Sequence, residues 1–274
     1  MLRKYLLLLK KYPLIAAANA IVYAMVCLKT IKTETNFQMF IMRTLLCGAM
    51  TFFLYQISGE KTLSSINNSA WYVIKVAIGF LIFALMIGIF GVFALANEPM
   101  WDNIPLQMLI VFLLFLFVGL FEEMAFRAII NDAIIYRFRD KKYVFALSAL
   151  CSSLLFGVAH IIGLNLNSLL AWLQALAKII STGVFGLALL ILYWKTRNIW
   201  ACGIVHGMYD FLISISMGIY KTRTLQAQYV VSDDQAGAAL IVYGVLTLIE
   251  LLILFRIWHK IGKNIDFEDI RNNW

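Results

Sequence analysis

The sequence predicts an all-α fold, a polytopic membrane bundle of about eight transmembrane helices with both termini in the cytoplasm. Hydrophobic residues make up 62% of the 274 residues and charged residues only 14%, and the mean hydropathy is +0.85. Apolar runs of about 20 residues recur along the chain, and a run of that length crosses a ~30 Å hydrocarbon core as a helix. The chain is therefore expected to lie in a cell membrane.

Eight apolar runs are predicted to be membrane spans. They cover residues 13–28, 37–57, 71–95, 105–135, 143–163, 176–194, 199–219 and 236–258. The three prolines, Pro13, Pro99 and Pro105, fall at or outside span ends, where the missing N–H does least harm. No repeat or soluble segment interrupts the runs, so we expect one integral membrane domain over residues 1–274.

The net charge of +8 is explained by topology, because most of the basic residues lie on one side of the predicted bundle. The predicted cytoplasmic segments hold Arg3, Lys4, Lys10, Lys11, Lys61, Arg137, Arg139, Lys141, Lys142, Lys195, Arg197, Arg256, Lys260, Lys263 and Arg271. The predicted outer loops hold only Lys29, Lys32, Lys221 and Arg223. This asymmetry follows the positive-inside rule, and it predicts no nucleic-acid partner.

Three charged residues interrupt the fourth predicted span, in the run Phe121-Glu-Glu-Met-Ala-Phe-Arg127. A charge at the centre of a membrane helix costs about 2.5–3.5 kcal/mol, so a charge there is a candidate functional group. Glu123 and Arg127 are i,i+4 neighbours on a helix and are expected to form an ion pair. Glu122 points to another face and is the candidate general base. The alternative is an ion-pair cluster that only holds helices together.

A histidine in the next span is predicted to face Glu122. In two antiparallel helices joined by a short turn, two residues lie at the same depth in the membrane when they are equally far along the chain from the centre of the turn. The average of their residue numbers is then the residue number of the turn centre. The mean of 122 and 160 is 141, which lies in the basic run from Arg137 to Lys142. His160, at the end of Phe156-Gly-Val-Ala-His160, is therefore a second candidate site residue.

A further histidine and an aspartate, His206 and Asp210, have i,i+4 spacing and share one helix face. Gly203 and Gly207 beside them allow another helix to approach closely. His206 lies about 12 Å from its own basic turn, whereas Glu122 lies about 27 Å from the turn at 141. An extension of the fourth and fifth helices beyond the membrane by one or two turns would explain this difference in depth.

Lys178 is the weakest of the polar signals. The stretch Leu164 to Ile180 is predicted to be an amphipathic helix at the outer interface, with Trp172 at the level of the headgroups. Lys178 would then extend its ammonium toward the headgroups.

Three motifs in this order resemble the CAAX protease and bacteriocin-processing family, the relatives of type II CAAX prenyl endopeptidases. They are Glu-Glu-x-x-x-Arg at 122–127, Phe-x-x-x-His at 156–160 and His-x-x-x-Asp at 206–210. The resemblance covers about residues 105 to 215 and implies a catalytic core there. It implies an intramembrane glutamate-dependent endopeptidase with an active site that opens toward the cytoplasm. By position, Glu122 activates the attacking water and His160 helps to hold it, while Glu123 and Arg127 brace the site.

The third motif departs from the family pattern, which commonly ends in asparagine. The resemblance assigns oxyanion stabilisation to His206 and residue 210, but an ionised Asp210 cannot donate a hydrogen bond. Either Asp210 is protonated, or it accepts from His206 and fixes the histidine tautomer, which leaves His206 as the main donor.

No cofactor is implied by the resemblance, although a zinc ion is an alternative. Glu122, His160, His206 and Asp210 would make an acceptable zinc set, but the chain has no HExxH pair. The four cysteines show no CxxC spacing and predict neither a disulfide nor a zinc ribbon.

The expected partners are a peptide or lipidated peptide substrate and membrane lipid. Compact size and short loops fit the plasma membrane of a bacterium, where the peptide could be a pheromone or a bacteriocin. Two other functions stay open: a bacteriocin-immunity or regulatory protein that binds a membrane partner protein, and a proton-relaying transporter. The transporter is disfavoured, because the sequence shows no internal repeat or paired broken helices.

Overall fold

A computed structural model describes residue 7 and residues 11–31, 33–58, 60–64, 68–221 and 230–273. Within these ranges the protein is helical and contains no strand, which confirms the predicted all-α class. The basic residues Arg3, Lys4, Lys10, Lys32 and Arg223, used above to predict topology, lie outside the described residues.

Eleven α-helices make up the described part of the chain. They are α1 Pro13–Thr30, α2 Asn36–Ser58, α3 Lys61–Ser64, α4 Ala70–Ala94, α5 Ile104–Glu123, α6 Asp132–Phe138, α7 Val144–Ala159, α8 Leu169–Thr196, α9 Ile199–Ile213, α10 Asp233–Ile261 and α11 Phe267–Asn272. A π-helical segment, Met124–Asn131, joins α5 to α6 without a break, and 3-10 turns follow α9 and α10.

Five described helices are long and apolar enough to cross a membrane, namely α2, α4, the continuous α5–α6 helix, α8 and α10. Three shorter apolar helices, α1, α7 and α9, coincide with the other predicted spans. Large apolar side chains such as Phe90, at 75% exposure, and Leu252, at 70%, point away from the bundle. The protein is an integral membrane protein, while the total of eight spans and the orientation of the termini remain predictions.

The predicted interfacial helix at Leu164 to Ile180 is wrong. Residues 164–167 are not helical, and α8 begins at Leu169 and runs unbroken to Thr196. The Ser168 hydroxyl caps α8 by accepting a hydrogen bond from the Ala171 N–H at 3.0 Å, as serine commonly does at a helix start. No proline follows to end the helix, so the polar stretch around Lys178 belongs to a spanning helix.

Glycines bring α5 and α9 into close contact, as Gly203 and Gly207 predict. A Cβ added at Gly207 would lie 2.6 Å from the Leu116 Cα, and one added at Gly203 would lie 2.9 Å from the Leu120 Cα. Gly119 faces both glycines from α5. Close backbone approach of this kind is typical of membrane helix pairs. It brings the carboxylates at the end of α5 beside the histidine of α9.

A buried polar network joins α6 to the turn before α9. The Asp132 carboxylate lies 3.3 Å from the Arg197 guanidinium and accepts a hydrogen bond from the Tyr193 hydroxyl at 2.7 Å. Asn131 donates to the same carboxylate at 2.8 Å. Because Asp132 is level with Arg197, α6 continues about 9 Å past the start of α9. This extension accounts for more than half of the difference of about 15 Å in depth between Glu122 and His206 inferred from the sequence.

Candidate active site

The centre of the candidate site is a chain of three buried ionisable groups contributed by two helices. Arg127 Nε lies 3.1 Å from Glu123 Oε2, so the ion pair predicted from the i,i+4 spacing is present. The other oxygen, Glu123 Oε1, lies 2.8 Å from His206 Nδ1. Glu123, Arg127 and His206 are each at most 1% exposed. Paired burial of this kind offsets the cost of removing charges from water.

The guanidinium of Arg127 is held from three sides. It donates from Nη2 to the Gly186 carbonyl at 3.0 Å and lies over the Phe156 ring, 4.4 Å from the centroid. A Cβ at Gly186 would meet that guanidinium at 3.2 Å and the Phe156 ring at 2.7 Å. Glycine at 186 therefore leaves the room that the buried arginine needs on α8.

The π-helical segment sets the direction of these groups. It begins one residue after Glu123 and contains Arg127, and single π-helical segments inside α-helices are frequent at functional sites. The Phe126 carbonyl within it accepts a hydrogen bond from the Ser152 hydroxyl of α7 at 3.0 Å. This contact ties the irregular backbone to the helix that leads to His160.

Two more carboxylates face the second ring nitrogen of His206. Nε2 lies 3.5 Å from Asp210 Oδ2 and 3.7 Å from Glu122 Oε2. Glu123 holds Nδ1, so the proton on Nδ1 points to Glu123 and Nε2 faces Glu122 and Asp210. Glu122 Oε2 is buried and has no hydrogen-bond partner among the described residues. That oxygen is a free acceptor at the centre of the site.

His160 lies one residue past the C-terminal end of α7, which ends at Ala159. The predicted span 143–163 therefore extends too far at this end. Nδ1 of His160 lies 2.8 Å from the Phe156 carbonyl. Because a carbonyl only accepts, Nδ1 carries the proton and Nε2 is left as an acceptor. The Phe156 ring packs edge-on against both histidines, with centroids 4.8 Å from His160 and 5.6 Å from His206.

A cavity of about 280 Å³ brings the predicted residues together. Glu122, His160, His206 and Asp210 all line it, with apolar side chains such as Phe115 and Phe185 in its walls. Glu123 and Arg127 lie behind this wall and do not line the cavity. The structure thus places four of the predicted site residues at the cavity and the other two in support of His206.

Three further charged residues line the same cavity, Arg43 of α2, Lys178 of α8 and Glu250 of α10. Glu250 accepts hydrogen bonds from the Ser181 hydroxyl at 2.7 Å and the Tyr209 hydroxyl at 3.0 Å. Arg43 and Glu250 were not among the predicted site residues, and Lys178 was predicted to lie at the headgroups. Each is an isolated charge in an apolar run, so the rule that singled out Glu122 would have found them as well.

The zinc alternative depends on the positions of the possible metal ligands in the described residues. No group of three or more histidine, cysteine, aspartate or glutamate side chains there is arranged to hold a metal ion. Each histidine nevertheless keeps Nε2 available, since Nδ1 of His206 is held by Glu123 and Nδ1 of His160 by a carbonyl, and a zinc ligand uses one nitrogen of each imidazole. The assay with a chelator described below tests the zinc alternative.

The fold and the site define a helical integral membrane protein with a buried carboxylate and histidine centre. Residues 104–212 match the model of the Rce1-like family, described as type II CAAX prenyl endopeptidase Rce1-like. The family resemblance predicted from the three motifs is thereby confirmed, and all six predicted site residues fall within the matched segment. No match is found among curated proteins or among solved structures.

Proposed function

We propose that this protein is an intramembrane glutamate-dependent endopeptidase that cleaves a peptide or a membrane-associated substrate. The observation that carries the proposal is the shared cavity, in which a carboxylate oxygen without a hydrogen-bond partner in the described structure faces two histidines. A carboxylate in this setting can remove a proton from water, which is the first step of peptide hydrolysis without a covalent intermediate.

Glu122 is the general base in this mechanism. Its free oxygen accepts a proton from water, and the water oxygen attacks the carbonyl carbon of the scissile peptide bond. The acceptor nitrogen of His160 can take the second hydrogen of the water in a hydrogen bond and so orient it. The proton held by Glu122 then passes to the leaving amine.

His206 stabilises the oxyanion in this mechanism, and Glu123 and Arg127 position it. The Glu123 carboxylate fixes the imidazole at 2.8 Å, and Arg127 fixes the carboxylate. When His206 carries both protons, Nε2 donates into the cavity, and a preorganised donor of this kind stabilises the negative charge that develops in the transition state. The neighbouring carboxylates of Asp210 and Glu122 favour that charged imidazole electrostatically.

The substrate is a peptide that reaches the cavity from the membrane or from its surface. The mixed walls, with Leu114, Phe115 and Met217 beside the charged groups, suit an extended segment with apolar side chains, including a lipidated one. Maturation of a peptide signal or a bacteriocin in a bacterial plasma membrane fits this chemistry. Metal-free catalysis is the form that the family resemblance favours.

Cleavage of a mixed peptide library by the detergent-purified protein tests this proposal. The wild type is expected to release defined products, and the Glu122→Gln variant none. Each is assayed with and without a zinc chelator. Cleavage that continues in the presence of the chelator supports the metal-free mechanism. If the chelator abolishes cleavage and added zinc restores it, the same residues are assigned to a zinc site. A wild type that cleaves no library member and no lipidated peptide would contradict the peptidase and leave the partner-binding function.

A further inference from the structure

Lys178 lies in the active-site cavity and not at the membrane surface. It shares the cavity wall with Ser181, Thr182 and Phe185, which follow it on α8 at the i+3, i+4 and i+7 positions. Residues with this spacing form one helix face. Its side chain is only partly exposed, so the lysine is directed into the bundle.

Carboxylates from three other helices attract the charge of Lys178. It interacts electrostatically with Asp210 of α9, Glu250 of α10 and Glu122 of α5. Glu250 is itself fixed by hydroxyl groups of α8 and α9. Such pairing offsets the cost of placing a charged lysine inside a membrane bundle, and an ionisable residue there is a candidate functional group.

With aspartate at position 210, the proposed oxyanion site lacks the second hydrogen-bond donor that asparagine would supply. Asparagine, the usual residue of the family motif, presents a neutral N–H donor, whereas an ionised aspartate only accepts. His206 offers a single nitrogen to the cavity, because Glu123 holds the other. Lys178 carries three N–H donors and interacts with Asp210, so it can supply the donor that Asp210 lacks.

We propose that Lys178 is a catalytic residue that stabilises the oxyanion of the tetrahedral intermediate, and that Asp210 orients its ammonium. This proposal rests on the peptidase function proposed above. Attack of the water oxygen moves the π electrons of the C=O bond onto the carbonyl oxygen, which accepts hydrogen bonds from Lys178 and His206. Re-formation of the C=O bond breaks the C–N bond, and the amine leaves with the proton from Glu122.

Kinetics of Lys178→Met on a peptide that the wild type cleaves test the proposal. Loss of one oxyanion donor lowers kcat by about 10²–10³-fold, with little change in KM because the donor acts on the intermediate. Lys75→Met is the matched control, since Lys75 is an exposed lysine on α4 beside Trp71, and it is expected to keep wild-type kinetics. A Lys178→Met variant with wild-type kcat would overturn the proposal.

Two double variants separate the donor role from a folding defect. Lys178→Met with Asp210→Asn removes one positive and one negative charge and restores an amide donor, so kcat is expected within about tenfold of wild type. Lys178→Met with Asp210→Leu is equally balanced in charge but has no donor, and it is expected to stay about 10²–10³-fold slow. Equal rates in the two double variants would overturn the proposal. The proposed peptidase is judged separately, by wild-type cleavage and its loss in Glu122→Gln.

Discussion

Charged side chains in apolar surroundings locate the site at the scale of single residues. Glu123, Arg127 and His206 are almost completely buried, and each has an oppositely charged or hydrogen-bonding partner at 3.1 Å or less. Glu122 differs, because its buried Oε2 has no hydrogen bond in the described structure and its only ion-pair contact there, to His206 Nε2, is 3.7 Å long. This difference supports the proposed roles, in which Glu123 and Arg127 position His206 and Glu122 reacts.

Replacement of Arg127 by methionine is expected to destabilise the protein by about 3–5 kcal/mol, because Glu123 would remain buried without its cation. The unfolding temperature in detergent measures the effect. Lys221→Met is the control, since Lys221 pairs with Asp102 at the surface, where an ion pair contributes about 0–1 kcal/mol. Equal stability of the two variants would show that the buried pair is not structural.

At the scale of helices, close packing of α5 against α9 determines whether Glu122 and Glu123 reach His206. Gly119, Gly203 and Gly207 make the contact, with no space for a Cβ at any of them. The π-helical segment that follows α5 then directs Arg127 toward α8. The site is therefore assembled by helix contacts and not by any one helix.

Gly207→Ala is expected to lower both the unfolding temperature and the rate of cleavage. The added methyl would lie 2.6 Å from the Leu116 Cα, and overpacking of this kind costs about 1–3 kcal/mol. Gly48→Ala is the matched control on α2, where a Cβ meets nothing within 4 Å and alanine improves helix propensity. A Gly207→Ala protein as stable and active as Gly48→Ala would contradict the proposed role of this contact.

At the scale of the whole molecule, the all-α class and the family resemblance could be predicted from the sequence, because both depend on local patterns. Length and hydropathy define the helices, and three short motifs define the family resemblance. The Glu123–Arg127 pair could also be predicted, since it follows from helix periodicity alone.

Features that depend on tertiary contacts could not be predicted from local sequence patterns. The bond from Glu123 to His206 joins residues far apart in the chain, and the π-helical register depends on support from Ser152 of α7. The error at Lys178 also has a tertiary cause, because the cavity that Lys178 lines is formed with residues of α5, α9 and α10. Arg43 and Glu250 were missed because the charge rule was applied only to residues inside a motif.

The orientation of the bundle is a further prediction at this scale. Asp140 and Glu98 are exposed in loops that follow α6 and α4, and the positive-inside rule places Asp140 in the cytoplasm and Glu98 outside. In a variant whose four native cysteines are replaced by alanine, Glu98→Cys is expected to react with a membrane-impermeant thiol reagent on intact cells, and Asp140→Cys only after lysis. The reverse pattern would invert the proposed topology.

The most direct test of the account is the kcat of Glu122→Gln on the best peptide from the library. Glutamine keeps the shape and removes the base, so kcat is expected to fall by about 10²–10⁴-fold with an unchanged unfolding temperature. Glu98→Gln, a change in an exposed loop, is the control and is expected to match the wild type. If Glu122→Gln turns over the peptide as fast as Glu98→Gln, then Glu122 is not the catalytic base and the proposed mechanism is wrong.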